Sequence, residues 1–325
     1  MRAVLLDGSN WKDRNAVLRN GLSNFRPGEL FVSIFGLHGL GEFYRSRSTL
    51  VEMSITAEQE RAFYDLQYSR FSGVPDSALR CDRTAMIAMF NDPGATQYER
   101  RGLYLAALKT LLSEPLERCA VLDYGCGPGE WGVFLATEGA RATLLDLSPA
   151  AIELGLRRAR ANGVSDRVRG VSRDASDLSC FANGEFDLVF ANAALHHTLK
   201  YANALAELVR VIRPGGKLIL AETYGNNPLL NAARRLRALF QGEEEEQGEE
   251  IILSDAQIEL LRPHFRSVEV SPLNLLAMGK RLFRGRFRSR GVRSLVRSLE
   301  AADAVLLKAP ALRRYCGEVI VVAER

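Results

Sequence analysis

The sequence has no long apolar run, no paired cysteines and no strong charge of one sign, and each absence narrows what it can be. Its most apolar stretch near the start, residues 30–37, is broken by Gly36 and falls far short of the ~20 residues that cross a bilayer as a helix. Between Met1 and Asn10, charge and glycine arrive before any sustained apolar core, which argues against a secretory signal and makes a cytoplasmic location the expectation. The five cysteines, Cys81, Cys119, Cys126, Cys180 and Cys316, are odd in number and never spaced C-x-x-C. Neither a disulfide framework nor a zinc site is indicated; no metal is expected, and the thiols should be buried. A net charge of +4 over 325 residues is too small to imply nucleic-acid binding by itself. The remainder, 47% hydrophobic and 25% charged, is ordinary globular composition.

What the chain does have is a strand that runs into a glycine turn. Residues 121–129, VLDYGCGPG, read as an apolar strand, the acid Asp123, then Gly125, Gly127 and Gly129 at alternate positions, with a helix opening near Glu130. Glycine lets the backbone turn sharply and lets a ligand approach without meeting a Cβ. Gly127, Gly129 and Gly132 also satisfy G-x-G-x-x-G, which taken alone fits a tight strand-to-helix connection as well as a cofactor seat. Cys126 suits the cramped turn by its size better than it suits nucleophilic chemistry, which needs an electropositive partner.

The segments that follow alternate. An apolar run over 142–145 ends in Asp146, about 20 residues past the glycine turn, where an acid can accept from ribose hydroxyls in a nucleotide-type α/β fold. Ser148 and Pro149 open a helix to about Asn162. Strands over 168–171, 186–191 and 217–222 run respectively toward Arg173-Asp174-Ala175, into Asn192, and out of the turn Arg213-Pro214-Gly215-Gly216, with a helix over 199–211 between the last two. Strands alternating with helices mean right-handed crossovers, a parallel sheet, and ligands gathered at the carboxyl ends of the strands.

In order and spacing, VLDYGCGPG, LLDLSPAAI, RDASDL, FDLVFANAALHH and IRPGGKLILAE resemble the class I S-adenosylmethionine-dependent methyltransferases, small-molecule type with a quinone-methyltransferase-like core, over 121–222. The resemblance implies an α/β, Rossmann-like seven-stranded sheet and S-adenosyl-L-methionine as cofactor. It implies that Gly125, Cys126 and Gly127 line the amino-acid portion and that Asp123 orders the loop or a water near the ammonium group. Asp146, with Leu147 beside it, would hold the ribose; Asp174 and Ala175 would flank the adenine, and Asn192 would lie beside the sulfonium end.

Methyl transfer is an in-line displacement, for which an enzyme supplies chiefly proximity and alignment. A hydroxyl acceptor would also need a base, and His196 or His197 is a candidate because histidine titrates near neutral pH; related chains also carry paired histidines there as part of the fold. Glu222, at the end of the fifth strand with Tyr224 and Asn226 beyond it, is a second candidate. A carbon acceptor would need no base before transfer.

Around this core the expected organisation is a mostly helical cap and substrate region over 1–113, the cofactor-binding core over 114–272, a basic helical insert over 273–316 and a final core strand over 317–325. In the cap, residues 1–55 carry no sustained period. A helix follows from a Thr56/Gln59 capping box, a second lies between Ser77 and Phe90, and a third starts at Asp92 with Pro93 in its first turn and runs to about Ser113. Phe63, Tyr64, Tyr68 and Phe71 read either as a pocket roof or as core packing. After the core come an amphipathic helix over 228–240, a solvated acidic run from Glu243 to Glu250, and strands over 267–270 and 319–322. The 45 or so residues between those strands exceed an ordinary connection. They carry Lys280, Arg281, Arg284, Arg286, Arg288, Arg290, Arg293 and Arg297 among apolar residues, open to three readings: a solvated helical face, an anionic-substrate or membrane-surface patch, or an RNA-binding patch. The expected partner is a small acceptor, lipophilic or anionic, of natural-product, isoprenoid or quinone-like type, with peripheral membrane contact open and no stable nucleic acid. The rivals are an RNA methyltransferase using 280–297 and a non-catalytic cofactor-binding protein.

Overall fold

The computed structural model of the protein describes residues 57–199, 201, 203–232 and 252–325, all within the unit Ile55–Arg325. The expectations for residues 1–55, for the Thr56 cap, for the helix beyond residue 232 and for the acidic run lie outside the described residues.

Seven strands form one sheet: β1 (Ala120–Tyr124), β2 (Arg141–Asp146), β3 (Val168–Ser172), β4 (Phe186–Asn192), β5 (Ile212–Thr223), β6 (Ser267–Leu273) and β7 (Glu318–Glu324), in the order β3-β2-β1-β4-β5-β7-β6. β1 to β5 are parallel; β7 enters antiparallel between β5 and β6. The central strands are apolar on successive residues because both faces are covered. Leu144 and Ile219 face one core layer with Phe134 and Phe190, while Leu145, Leu218 and Leu220 face the other with Leu208 and Val211. Register keeps this alternation in step, with Val121 opposite Ala142 and Leu188.

The helices with described bounds are α1 (Ala57–Ser69), α2 (Arg83–Asn91), α3 (Arg101–Leu112), α4 (Glu130–Thr137), α5 (Pro149–Ala161), α6 (Leu195–Thr198), α7 (Ala204–Val211), α8 (Asp255–Glu259), α9 (Arg290–Leu306) and α10 (Pro310–Arg313), and residues 228–232 are helical as expected. α5 starts as expected, with Ser148 Oγ accepting from Ala151 N–H and Pro149 in the first turn. α8 carries a capping box between Ser254 and Gln257.

Three helix expectations need correction. The segment over 77–90 is two pieces, a 3₁₀ turn Asp76–Leu79 and then α2, because Asp82 caps a fresh start by accepting from Ala85 N–H. Asp92 opens no helix: it ends α2, and its carboxylate accepts from Gly94 N–H in a local turn, so the next helical hydrogen bonds begin in the 3₁₀ turn Thr96–Arg100 and continue into α3. The helix placed over 199–211 starts only at Ala204, and the turn at 213–216 is already part of β5. Among the thiols, Cys180 is exposed rather than buried.

β1 is flanked by β2 on one side and β4 on the other, so the connections leaving their carboxyl ends diverge. That reversal of strand order opens a crevice at the sheet edge where Tyr124, Asp146, Asn192 and Thr223 all end their strands.

Candidate functional site

The glycine turn is shaped by what packs against it. Gly125 has φ +65°, and a Cβ there would lie 2.5 Å from the Cβ of Ala194. Gly129 has φ +72°, and its Cβ would stand 2.8 Å from the Cα of Gly155 in α5. A side chain at either position would face both left-handed backbone strain and a collision. The loop is pinned by buried acids. Asp146 accepts from Gly127 N–H at 2.8 Å through one oxygen and from Ser148 N–H at 2.9 Å through the other, while Asp123 accepts from Gly132 N–H at 2.7 Å. Burial raises both carboxyls, Asp123 to about 7, and the backbone hydrogen bonds only partly offset it. Burial also raises the Cys126 thiol well above its ordinary value, so it stays a neutral packing group.

The crevice is a cavity of about 1380 Å³. Asp123, Gly125, Cys126, Gly127, Asp146, Leu147, Asp174, Ala175, Asn192, His196 and His197 all line it. Glu222 is fully buried behind the wall. Tyr124 fastens two parts of the rim, donating to the carbonyl of Ala175 at 2.8 Å and standing 2.8 Å from Thr198 Oγ1. Asn192 Oδ1 is buried with no hydrogen-bond partner among the described residues. An orphaned acceptor of this kind costs free energy unless a donor from a ligand completes it.

The two histidines have different surroundings. His196 Nδ1 lies 2.8 Å from Glu222 Oε2, while Glu222 Oε1 accepts the N–H groups of Ala194 and Leu195 at 3.0 Å each. A carboxylate can only accept, so Nδ1 carries the proton and Nε2 is the basic nitrogen of the neutral ring. The His197 ring lies against His196 at a tilt of 37°, with centroids 4.1 Å apart, and has Nδ1 3.9 Å from Glu60 of α1. Ala193, at φ 53°, makes the turn that delivers this pair to the cavity, with its N–H bonded to the Ala221 carbonyl.

The aromatic roof divides. Tyr64 and Tyr68 line the cavity, whereas Phe63 and Phe71 are exposed. Phe90, Tyr104 and Trp131 line it as well, although their helices carried no sign in the sequence of facing a ligand. Arg100 was missed for the same reason; it reaches the cavity from the 3₁₀ turn before α3.

The basic insert divides too. Arg281 and Arg284 line the cavity, Lys280 is buried behind them, and Arg286, Arg288, Arg290 and Arg297 are exposed. Its Phe287 and Val296 pack on Tyr98 in a small core, which accounts for those two apolar positions. No helix among the described residues is long and apolar enough to cross a membrane.

A family model described as "Methyltransferase domain" matches residues 121–216. The chain is similar to a Demethylmenaquinone methyltransferase of Clavibacter sepedonicus, 35% identical over 102 residues that make up 31% of this chain and 40% of that protein, so it spans well under half of that relative's length. It is 30% identical over 164 residues to the O-methyltransferase rstn1 of Aspergillus nomiae, covering 48% of this chain and 70% of that one. Among solved structures, the [4+2]-cyclase SpnF superposes with a TM-score of 0.53 at 19% identity, over 84% of this chain and 97% of that chain, a likeness of fold.

Proposed function

The chain belongs to the class I S-adenosylmethionine-dependent methyltransferases, and from that premise we propose that it methylates a small, largely apolar acceptor on oxygen or carbon. One observation carries the reading: a single cavity joins the pinned glycine loop to the His196–Glu222 pair. Phe90, Tyr104 and Trp131 on the same wall suit an apolar acceptor body.

The residues present fit the cofactor. Gly125 and Gly127 present bare backbone to the cavity, the Asp146 carboxylate keeps acceptor capacity beyond its two backbone bonds, and Asn192 Oδ1 awaits a donor. Gly125, Cys126 and Gly127 would pass the amino-acid portion, Asp146 and Leu147 would take the ribose, Asp174 and Ala175 the adenine edge, and Asn192 the end nearest the acceptor. When bound, the cofactor supplies an electrophilic methyl group on a positively charged sulfur.

The chain's own contribution is alignment and proton handling. The loop and the aromatic wall hold donor and acceptor in line and keep water out. Glu222 fixes the His196 ring with Nδ1–H toward itself, which leaves proton exchange with a hydroxyl acceptor to Nε2. His197, in tilted contact with that ring, limits its rotation.

The test is calorimetric titration with S-adenosylhomocysteine together with detection of demethylated cofactor over a panel of phenolic, enolic and isoprenoid acceptors. Asp146→Ala should weaken cofactor binding by at least about tenfold, the worth of one charged hydrogen bond. Unaltered binding in that variant would remove the ribose assignment, and wild-type protein that binds no S-adenosylhomocysteine would remove the function.

A further inference from the structure

The cavity has a cationic end that methyl transfer itself does not call on. Arg100 donates from Nη2 to Thr223 Oγ1 at 3.2 Å, one residue past Glu222, and its Nε stands 3.6 Å from Glu318 Oε1. Arg281, from the 3₁₀ segment Leu276–Phe283, lies 3.6 Å from Glu99 and 3.7 Å from Glu318. Arg284 grips Glu99 with two hydrogen bonds, and Arg101 reaches Glu300 at 2.8 Å. Lys280 is 1% exposed, and its Nζ has no hydrogen-bond partner among the described residues; neither do the Nε groups of Arg100, Arg101 and Arg281.

With every side chain ionised, the cations Arg100, Arg101, Lys280, Arg281 and Arg284 outnumber the carboxylates Glu99, Glu222, Glu300 and Glu318 by one charge. Burial lowers Lys280 and Arg281 below their ordinary values, and the attraction of Glu318 does not restore them. Removing charge from water without full compensation is costly, so a surplus at a cavity wall favours an anion that neutralises it. Tyr104, Trp131, Met278 and Leu282 line the same cavity, so an anion held there is set against an apolar surface.

We infer that this end of the cavity is an anion subsite that takes a dianionic head group of the phosphate-monoester class, carried on an apolar body. Arg100 and Arg281 contact the head group, and Lys280 adds charge behind them. Two guanidinium groups on one wall, each with an Nε that has no hydrogen-bond partner among the described residues, match the three terminal oxygens of a phosphate monoester better than the two of a carboxylate. That the bound molecule is the methyl acceptor rests on the function proposed above; the affinity for the anion does not.

The test titrates the full chain, first with S-adenosylhomocysteine and then, in its presence, with octyl phosphate, octanoate and octanol. Octyl phosphate should bind at least about tenfold more tightly than octanol, with octanoate between them. Arg281→Met should abolish most of that preference and Arg281→Lys should keep part of it, while octanol affinity stays constant and reports an intact cavity. Inorganic phosphate in excess should displace octyl phosphate from the wild type, a check that needs no substitution. Equal affinity for octyl phosphate and octanol, no displacement by phosphate, or a preference that survives both Arg281→Met and Arg100→Met would overturn the subsite. Octanoate binding as tightly as octyl phosphate would overturn the dianion assignment. Phosphate preference without S-adenosylhomocysteine binding would keep the subsite and sink the methyl-transfer reading; the reverse result would do the opposite.

Discussion

Replacing Glu222 by glutamine tests the proposed proton path with little change in shape. In the protein, Glu222 Oε1 is pinned by two N–H donors, from Ala194 and Leu195, at 3.0 Å. Only the carbonyl of a glutamine can accept both, so its NH₂ must turn toward His196 Nδ1, now 2.8 Å from Oε2. Nδ1 then becomes the acceptor, and the neutral ring carries its proton on Nε2, the nitrogen that has to take one from a hydroxyl. The variant therefore keeps the cavity but loses the base. A general base contributes roughly 10²- to 10⁴-fold, so kcat with a hydroxyl acceptor should fall by at least about 10²-fold while KM for S-adenosylmethionine stays near the wild-type value. Exchanging a charged for a neutral hydrogen bond should cost about 1–2 kcal/mol of stability. The assay is steady-state release of demethylated cofactor across pH, with a thermal melt as control. A folded variant whose kcat is unchanged would refute the dyad as proton carrier and point to an acceptor that is methylated at carbon without prior deprotonation.

Two further outcomes follow from the loop. Burial raises Asp123 to about 7 from a reference of 3.8, so the folded state holds a proton that the unfolded chain has released between those values; its stabilising effect is complete below about pH 4 and is lost as pH rises toward 7. Denaturant titrations of wild type and Asp123→Asn should thus diverge with a slope of up to ~1.4 kcal/mol per pH unit inside that window and run parallel above it; parallel curves throughout would remove the perturbed carboxyl. Gly129→Ala should destabilise by on the order of 2 kcal/mol or more, from left-handed backbone strain and from a Cβ 2.8 Å from the Gly155 backbone, which cannot swing aside. A melting temperature within a degree of wild type would show that the loop relaxes.

The glycine-loop end of the cavity was legible in the sequence because its parts are local. Strand, glycine turn and helix in 121–137 are neighbours in the chain, and the repeated strand–helix pattern allows one parallel arrangement, so Asp146, Asp174 and Asn192 come to one edge by topology alone. Asp92 shows where local reading failed: an aspartate followed by proline matches a helix start, yet the same side chain closes a turn when α2 ends there. The long insert was visible only as an excess of arginine. Periodicity could not tell that Lys280 and Arg281 turn inward while Arg286 and Arg288 remain in water.

By itself, then, the sequence determined the α/β class, the glycine loop and the acids that ring it, since these follow from short-range backbone geometry and strand order. Only the tertiary structure decided that Glu222 orients His196 and not His197, that Trp131, Phe90 and Tyr104 form the apolar wall, and that Arg100 meets Arg281 across 180 residues of chain. Those meetings depend on which faces of separate elements pack together at the sheet edge, which sequence spacing does not fix.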